Sequence, residues 1–448
     1  MQVRIKEASP RADGVNCVIP KEVFDFLNLS EKVEYCLHVG QINHRLYIAP
    51  SEEDSEYMLL EASIFTKLCL YNNLTLKIKR ADEDIFLGPV IGLFINNYTF
   101  SNCSEDSAPT YNGRAGVVEH CYCYYFSIND IDWIQKKIKG YTFCFESQKW
   151  INGWFPMPDV IYDRAVGFEK EEKPLAKQIR KNFKDDLKIK FINNKDYLGK
   201  WETFERLSKY SEVNCYLPKT MEYTNFNDVL IMLKQNDFIF LKASHGSGGR
   251  QVIAIEKIDD MYKLVFYSAE LKELKLKDIE ELRGYIEKYT AGRKFIIQEG
   301  IRLLKYKDQV FDMRILIIKD REGKWRTIGN WARIAKSNYT ITNYCAGGRC
   351  EYYGNIYKHL CTKNSKVHIP SYDEIAQVTI KIASYLEKTF DSFGELGMDI
   401  AIDMQGKLWF IEANTKPDKD LVEGVEDFES IPLQNLSIYE YSKYLTGF

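Results

Sequence analysis

Apolar and polar residues alternate on both sides of Gln405-Gly406 near the end of the chain. Alternation with a period of two predicts strands, and a glycine-containing dipeptide between two such runs predicts a hairpin. If the pairing is centred on that dipeptide, facing residue numbers sum to 811 and Asp399 faces Glu412. Asn414 then lies on the same face. Three oxygen donors on one face suit a magnesium ion, although a polar hairpin face that meets solvent shows the same pattern.

The wider pattern divides the chain into three segments. Residues 1–85 contain short strand-like runs and predict a small β-rich accessory domain. Residues 86–194 alternate strands with helices, which is typical of an open, Rossmann-like α/β sheet. Residues 195–448 combine strands, helices and most of the polar motifs. The sequence therefore predicts an α+β protein of three domains.

The middle segment offers two candidate substrate contacts. Ser101 to Gly116 is predicted to be a long polar loop, followed by a helical stretch to Lys139. Asp163 and Arg164 end a predicted strand, where open α/β sheets bind ligands. A surface ion pair at a strand end is the alternative interpretation of these two residues.

A glycine-rich stretch follows the strand Phe238 to Lys242 and runs from Ala243 to Arg250, before a second predicted strand. Glycines let backbone N–H groups approach phosphate oxygens, and Lys242 adds a positive charge. A flexible hairpin tip has a similar composition. The stretch is neither a Walker A loop nor a dinucleotide fingerprint, because it lacks Gly-Lys-Ser/Thr and leads into a strand.

Two arginines and an aspartate follow on neighbouring predicted strands. Asp312 and Arg314 share one face of the strand Val310 to Ile318, and Arg333 ends another strand. Each arginine alone is typical of a protein surface. Together, between a glycine-rich loop and a carboxylate-bearing hairpin, they favour a functional site over exposed surface residues.

The composition restricts the partners. The 448 residues carry 61 basic and 64 acidic side chains, a net charge of −3 that predicts neither nucleic acid nor an anionic membrane as a partner. The chain shows no signal-peptide core and no apolar run of about 20 residues, so we expect a cytoplasmic protein. Eleven cysteines without a CxxC pair predict free thiols, and His38 and His44 are expected to be structural or exposed.

Taken together, these motifs resemble the ATP-grasp superfamily, and most closely its endospore coat-associated YheC/YheD family. The resemblance covers about residues 89–448. It rests on an ordered set of motifs: Gly199-Lys200-Trp201, Lys242 with its glycine-rich loop, Gln298-Glu299-Gly300-Ile301, Asp312-x-Arg314, Arg333, Asn343 and Asp399…Glu412-x-Asn414. It implies an ATP-grasp fold, two α+β subdomains that clamp ATP, preceded by a Rossmann-like pre-ATP-grasp domain.

The resemblance also implies roles for individual residues. Lys200 and Lys242 would grip the ATP phosphates. Arg314 and Arg333 would stabilise the transferred phosphoryl group and the developing oxyanion. The other implied roles are Ser244, Gly246, Ser247, Gly248, Gly249 and Arg250 in a loop over the phosphates, Gln298, Glu299, Gly300 and Ile301 at the adenine, Glu299 or Asp312 at the ribose, and Asp399, Glu412 and Asn414 as magnesium ligands.

The implied activity is ATP- and Mg²⁺-dependent ligation of a carboxylate to an amine through an acyl phosphate, on a peptide, protein or amino acid. Such chemistry needs no Ser-His-Asp or Cys-His set. Ala243 replaces a proline common in the superfamily, and Thr415 to Asp418 departs from the ending of dipeptide ligases, so the acceptor is not identified. A phosphotransferase, with His245 as carrier, and a non-catalytic nucleotide-binding protein of the spore coat are the alternatives.

Overall fold

The computed structural model describes residues 1–52, 55–96, 108–144, 147, 149–244, 251–268, 270–336, 348–363, 367–419 and 431–448. The chain forms two compact units. The first contains Met1–Asn194, Lys319–Lys324 and Glu423–Phe448, and the second contains Lys195–Ile318 and Trp325–Val422. The last helix, Leu433–Thr446, therefore belongs to the first unit, although the sequence grouped it with residues 195–448.

The first unit begins with a closed β-barrel in the strand order β1-β5-β2-β4-β3-β7-β6. Its apolar side chains alternate along each strand, so that Tyr35, Leu37 and Val39 are buried inside while their neighbours face outward. The elements are β1 Gln2–Ala8, β2 Cys17–Ile19, α1 Lys21–Phe26, β3 Glu34–Val39, β4 Ile42–Pro50, β5 Tyr57–Glu61, α2 Ala62–Lys67, β6 Thr75–Ala81 and β7 Asp84–Gly88.

The barrel is built from two similar halves, which the sequence analysis missed. Helix α1 follows Pro20 (φ −49°, ψ 136°), and α2 follows Glu61 (φ −52°, ψ 136°) in nearly the same backbone conformation. Both helices lead to a residue with positive φ, Asn28 and Cys69. Each pair of positions is 41 residues apart, and Val18 faces Leu59 across the antiparallel β2–β5 pair at the same offset. The signal was present as a matching apolar pattern around the two helices.

The second part of the first unit is a sheet in the order β10-β11-β9-β8-β13-β14, with β12 paired to β11. Strands β8, β9, β13 and β14 run parallel, while β10, β11 and β12 add antiparallel neighbours. The elements are β8 Val90–Phe94, α3 Ala108–Val118, β9 Tyr122–Phe126, β10 Ile131–Asp132, β11 Lys137–Cys144, β12 Lys149–Pro156, β13 Val160–Asp163, α4 Lys173–Lys181, a π-helical turn Asn182–Asp186, and β14 Lys190–Phe191.

The predictions of a loop to Gly116 and a helix to Lys139 were wrong. Helix α3 already begins at Ala108, and residues 101–107 lie outside the described residues. Two glycines of this helix allow it to pack closely against the sheet. A Cβ at Gly113 would lie 2.6 Å from the Cβ of Phe143, and one at Gly116 would lie 2.3 Å from the Sγ of Cys123. The fully buried strand β9 follows where the sequence predicted helix.

The Asp163 carboxylate at the end of β13 is engaged within the first unit. Arg180 of α4 donates to both of its oxygens, at 2.7 and 3.2 Å, and the Ala165 backbone N–H donates at 3.0 Å. The Asp163–Arg180 pair is largely buried rather than exposed, and a substrate contact by Asp163 or Arg164 stays a prediction.

The second unit contains two sheets. The first has the order β15-β20-β16-β17-β18-β19, and its elements are α5 Lys200–Leu207, α6 Ser211–Asn214, β15 Thr220–Tyr223, α7 Phe226–Leu233, β16 Phe238–Ala243, β17 Val252–Ile258, β18 Met261–Ser268, β19 Glu270–Leu276, α8 Ile279–Thr290 and β20 Phe295–Glu299. Helix α8 begins at Ile279, because the Asp278 side chain accepts hydrogen bonds from the backbone N–H groups of Glu280 and Glu281.

The other sheet of this unit has the order β24-β23-β22-β25-β26, with β21 paired to β22. Its elements are β21 Lys305–Tyr306, β22 Gln309–Lys319, β23 Trp325–Ile334, β24 Arg349–Tyr352, α9 Tyr353–Lys363, α10 Tyr372–Thr389, β25 Glu395–Ile402 and β26 Leu408–Asn414. Every residue of β25 is buried, which places this strand at the centre of the unit's larger core.

Candidate active site

The hairpin β25–β26 brings Asp399 opposite Glu412, as the sequence predicts. The predicted two-residue turn was wrong. Near the turn the facing pairs are Ile402 with Leu408 and Ile400 with Phe410, so their numbers sum to 810. A β-bulge between Asp399 and Ile400 in the ladder restores the sum of 811 at the carboxylates.

Three contacts explain the longer turn. The Asp403 side chain accepts hydrogen bonds from the backbone N–H groups of Gln405 and Lys407, both at 2.9 Å. Gly406 has φ +83°, and a Cβ there would lie 2.0 Å from the carbonyl oxygen of His368. Met404 N–H donates to the carbonyl of Arg302 at 3.1 Å, which ties the turn to the segment that joins the two sheets.

Asp399 forms a buried cluster of ion pairs with both predicted catalytic arginines. Arg314, directly opposite on β22, donates from Nε to Oδ1 and from Nη2 to Oδ2. The Nη2 of Arg333 lies 2.8 Å from the same Oδ2. Arg333 also donates to both oxygens of Asp312 at 2.7 Å. The site therefore holds two guanidinium groups in fixed positions beside Asp399, a predicted metal ligand.

The electrostatics of this cluster follow from those contacts. Burial acts to raise the pKa of Asp399, but Arg314 and Arg333 hold it below its usual value. Burial likewise acts to lower the pKa of Arg333, and Asp312 and Asp399 keep it well above its usual value. Asp399 and Arg333 therefore both remain charged at neutral pH.

Glu412 lies in a more open environment. Its Oε2 is 3.5 Å from the Nζ of Lys200, too far for a good hydrogen bond, and its Oε1 accepts from Asn414 Nδ2 at 3.3 Å. Lys200 opens helix α5, and Phe204 of that helix packs against Phe410 of β26 with ring centroids 5.6 Å apart. That aromatic contact fixes Lys200 over the hairpin.

Lys242 brings the first sheet into the same site. Its Nζ donates to Oε1 of Gln298 at 2.5 Å, and Nε2 of Gln298 donates to Oγ1 of Thr220 at 2.9 Å. Burial lowers the pKa of Lys242 to about 8. The positive charge of Lys200 also lowers it, whereas the carboxylates of Glu412, Asp312 and Asp399 act to raise it. Lys242 therefore lies close enough to these four side chains to interact electrostatically with each of them.

The predicted adenine-binding segment begins with the last two residues of β20, Gln298 and Glu299. Gln298 is buried, and the carboxylate of Glu299 accepts from the backbone N–H of Lys219 at 2.8 Å. Gly300 packs against Phe238, whose ring would lie 2.2 Å from a Cβ at this position. Ile301 is partly exposed next to it. With Glu299 bound to backbone and Asp312 bound to Arg333, a ribose contact by either carboxylate stays a prediction.

The structure describes the predicted phosphate loop as far as Ser244. Ser244 is buried, its N–H donates to the carbonyl of Lys294 at 2.9 Å, and its own carbonyl accepts from the Tyr197 hydroxyl at 3.0 Å. The other predicted loop contacts and the motif asparagine lie outside the described residues: Gly246, Ser247, Gly248, Gly249, Arg250 and Asn343.

Sequence reasoning missed Tyr197 and Thr220, which support this site. Thr220 could have been found once β15 was paired with β20, because it then faces Gln298. Tyr197 lies 47 residues from Ser244 in the chain, and no local pattern indicates that contact.

The donor set fits a magnesium ion. Asp399 and Glu412 face each other across the hairpin, and Asn414 lies two residues beyond Glu412 on β26. All three offer hard oxygen ligands, which Mg²⁺ prefers, and a carboxylate pair of this kind usually shares the ion with phosphate and water. Lys200 lies beside Glu412, and its predicted contact with the phosphates stays a prediction.

Two sheets with a lysine on one and facing carboxylates on the other define an ATP-grasp protein. The family model described as YheC/D like ATP-grasp matches residues 188–445, and the chain belongs to this family.

Two proteins of Bacillus subtilis (strain 168) are similar to the chain. Endospore coat-associated protein YheD is 22% identical over 431 residues, covering 94% of this chain and 93% of YheD. Endospore coat-associated protein YheC is 22% identical over 281 residues, covering 63% of this chain and 76% of YheC.

Solved structures are also similar. D-alanyl-alanine synthetase A from Vibrio cholerae shares 10% identity at a TM-score of 0.44, covering 80% of this chain and 98% of that protein. The ATP-grasp ligase PsnB complexed with minimal precursor, Mg and ADP shares 12% identity at a TM-score of 0.45, covering 79% of this chain and 97% of that protein. Identity this low says nothing about substrates.

Two general properties accompany the site. Among the described residues, none of the helices combines the length and the apolar character that a bilayer span requires. The nine cysteines in the described part of the chain are free thiols.

Proposed function

We propose that the chain is an ATP- and Mg²⁺-dependent ligase that joins a carboxylate to an amine through an acyl phosphate. The observation that carries this proposal is the meeting of Lys242 with Lys200, Asp312, Asp399 and Glu412 in one charged site. Lysines for phosphates, hard oxygen ligands for a divalent cation, and arginines for developing charge are the parts that phosphoryl transfer requires.

Each residue has a role in this proposal. Lys200 and Lys242 would bind phosphate oxygens, and Asp399, Glu412 and Asn414 would hold the magnesium ion, which would neutralise phosphate charge. Arg314 and Arg333 already stand in fixed orientations beside Asp399, so they can stabilise negative charge without reorganisation. The predicted loop from Ser244 to Arg250 would exclude water from the acyl phosphate.

The nucleotide contacts of Gln298, Glu299, Gly300 and Ile301 belong to the same proposal. The backbone of this segment would meet adenine, and the ring of Phe238 packs against Gly300 where a larger residue would carry its Cβ. The carboxylate and the amine belong to a peptide, a protein or an amino acid. Because both curated relatives are named as endospore coat-associated, we place this activity with the spore coat.

The reaction class can be tested by product analysis. The full chain is incubated with ATP, Mg²⁺ and a mixed library of amino acids and short peptides, and products are measured by mass spectrometry together with ADP release. We expect ADP formation that depends on both partners and a product whose mass is the sum of acid and amine minus water. A stable phosphorylated product would instead show a phosphotransferase, and ATP binding without turnover across the library would show a binding protein.

The lowered pKa of Lys242 predicts a pH dependence of nucleotide affinity. Bound phosphate favours the charged lysine, while burial in the free protein lowers its pKa to about 8. Affinity is therefore full below a pH of about 8 and falls by up to about tenfold per pH unit above it, with a proton taken up on binding. Calorimetry with a non-hydrolysable ATP analogue, in buffers of different ionisation enthalpy, measures both effects.

Lys242→Arg is the matched control, because an arginine stays charged throughout this range. It should remove the decline in affinity between pH values of about 8 and 10 and abolish the proton uptake. The same decline in Lys242→Arg would assign it to another group.

A further inference from the structure

The outer face of the barrel carries three potential metal ligands outside the ATP site. Cys36 and His38 lie two residues apart on β3 and point to the same side, and Asp84 faces Cys36 on the parallel neighbour β7. One ligand atom from each residue lies within 4.8 Å of the other two. None of these residues takes part in the proposed ligase chemistry.

The three side chains are held in place by their surroundings. The Nε2 of His38 lies 2.8 Å from Oδ1 of Asp84. The imidazole also stacks on Phe86 with centroids 4.7 Å apart and an interplanar angle of 19°. The Cys36 backbone N–H donates to the carbonyl of Glu83 at 3.0 Å, which fixes the strand that carries the thiol. The cluster is therefore partly preorganised, and its outer side is open to solvent.

We propose that Cys36, His38 and Asp84 bind one Zn²⁺ ion, with the fourth position open to water or to a further ligand. A thiolate, an imidazole and a carboxylate are the ligand types that zinc takes, and three protein ligands leave the usual tetrahedral site incomplete by one. Bonds of about 2.0–2.3 Å separate two ligands on one zinc by roughly 3.5 Å, so each side chain needs to move by about 1 Å or less.

Charge and ligand softness agree with this assignment. One thiolate and one carboxylate neutralise a divalent ion, and the nearby guanidinium of Arg45 is already paired with Glu34 at 3.0 Å. A thiolate–imidazole pair selects zinc over magnesium, whereas the oxygen donors around Asp399 favour magnesium. The two sites are therefore expected to take different metals.

The internal repeat of the barrel supports a specific site. At the offset of 41 residues, Cys36 corresponds to Lys77 and His38 corresponds to Lys79. The second half thus carries cations where the first half carries potential ligands, although the backbones follow the same course. A generic feature of the barrel would be present in both halves. No spacing motif in the sequence indicates this cluster, because Asp84 lies 46 residues from His38.

Cobalt replacement tests the site on the full chain. The metal-free protein is titrated with Co²⁺, and we expect a thiolate-to-cobalt charge-transfer band that saturates at one equivalent and disappears when Zn²⁺ is added. Cys36→Ser should abolish the band, while Cys215→Ser, which removes an exposed thiol elsewhere, should keep it. Absence of the band in the unsubstituted protein, or its persistence in Cys36→Ser, would overturn the proposal.

Zinc affinities of folded variants provide a second test that a folding defect cannot explain. His38→Gln and Asp84→Asn should each weaken Zn²⁺ binding, measured by chelator competition, by more than the roughly 10- to 100-fold typical of losing an outer partner. His44→Ala, which changes a histidine on the neighbouring strand, should leave the affinity unchanged. Circular dichroism confirms that each variant is folded, and folded His38→Gln with unchanged affinity contradicts the assignment. Glu412→Gln separates the two sites, because it should keep the cobalt–thiolate band.

Discussion

Replacing Glu412 by Gln is expected to remove the magnesium-dependent part of ATP binding and to reduce ADP formation by about 100- to 1,000-fold. The loss of one ligand costs metal affinity, and the metal contributes several kcal/mol of charge stabilisation in phosphoryl transfer. Glu412 is the most informative of the three predicted ligands because its contacts within the chain are weak. Lys200 lies 3.5 Å away, and Asn414 donates at 3.3 Å, so the variant should fold normally.

The measurement is the affinity for a non-hydrolysable ATP analogue with Mg²⁺ and with EDTA. The unsubstituted chain should bind more tightly in Mg²⁺, and Glu412→Gln should bind about equally in both conditions. Asp25→Asn is the matched control, since it removes an exposed carboxylate of the barrel that pairs with Lys21 in an i,i+4 contact. Undiminished magnesium dependence in Glu412→Gln would contradict the metal assignment.

The carboxylate hairpin shows how far sequence could predict the site. Alternation alone placed Asp399 opposite Glu412, and the structure has that pair. The prediction of a two-residue turn was wrong because the Asp403 side chain and the close approach of His368 to Gly406 favour a longer loop. The bulge then offsets the extra residue. Asp399 therefore stays opposite Glu412 although the turn is longer than predicted, because the ladder is not regular.

The arginine cluster was predictable in its membership but not in its connections. Period-two spacing put Asp312 and Arg314 on one face of β22, and both were expected near ATP. The sequence did not indicate that Arg333 joins Asp312 to Asp399, because that depends on the order β23-β22-β25 in the sheet. Sheet order is a long-range property, and single-sequence patterns carry little information about it.

The clearest error in the fold was the loop predicted from Ser101 to Gly116. Gly113 and Gly116 were interpreted as loop residues, yet they belong to α3, where larger side chains would collide with Phe143 and Cys123. In a helix a glycine costs about 1 kcal/mol relative to alanine. Close packing of the helix on the sheet offsets that cost here, and such packing is visible after the fold is known. The assigned roles of the loop from Gly246 to Arg250 stay predictions.

Asp399→Asn is expected to lower the free energy of unfolding by about 3–5 kcal/mol, in addition to abolishing activity, because it leaves buried guanidinium groups without their carboxylate. Arg314 and Arg333 both contact the Asp399 carboxylate. Asp312 also pairs with Arg333. The amide keeps the shape of the side chain but not its charge. Urea denaturation in EDTA measures the effect without any contribution from bound metal.

Comparison with two further variants makes this result specific. Glu412→Gln should change the free energy of unfolding by less than about 1 kcal/mol, and Glu34→Gln, which breaks the exposed pair with Arg45, should do the same. Activity and stability are thus expected to separate at Glu412 and to fall together at Asp399. If Asp399→Asn and the unsubstituted chain had the same free energy of unfolding, the guanidinium groups of Arg314 and Arg333 would be hydrated in the variant without loss of stability. In that case the ion-pair cluster does not hold them in place, and Asp399 would retain only its role as a metal ligand.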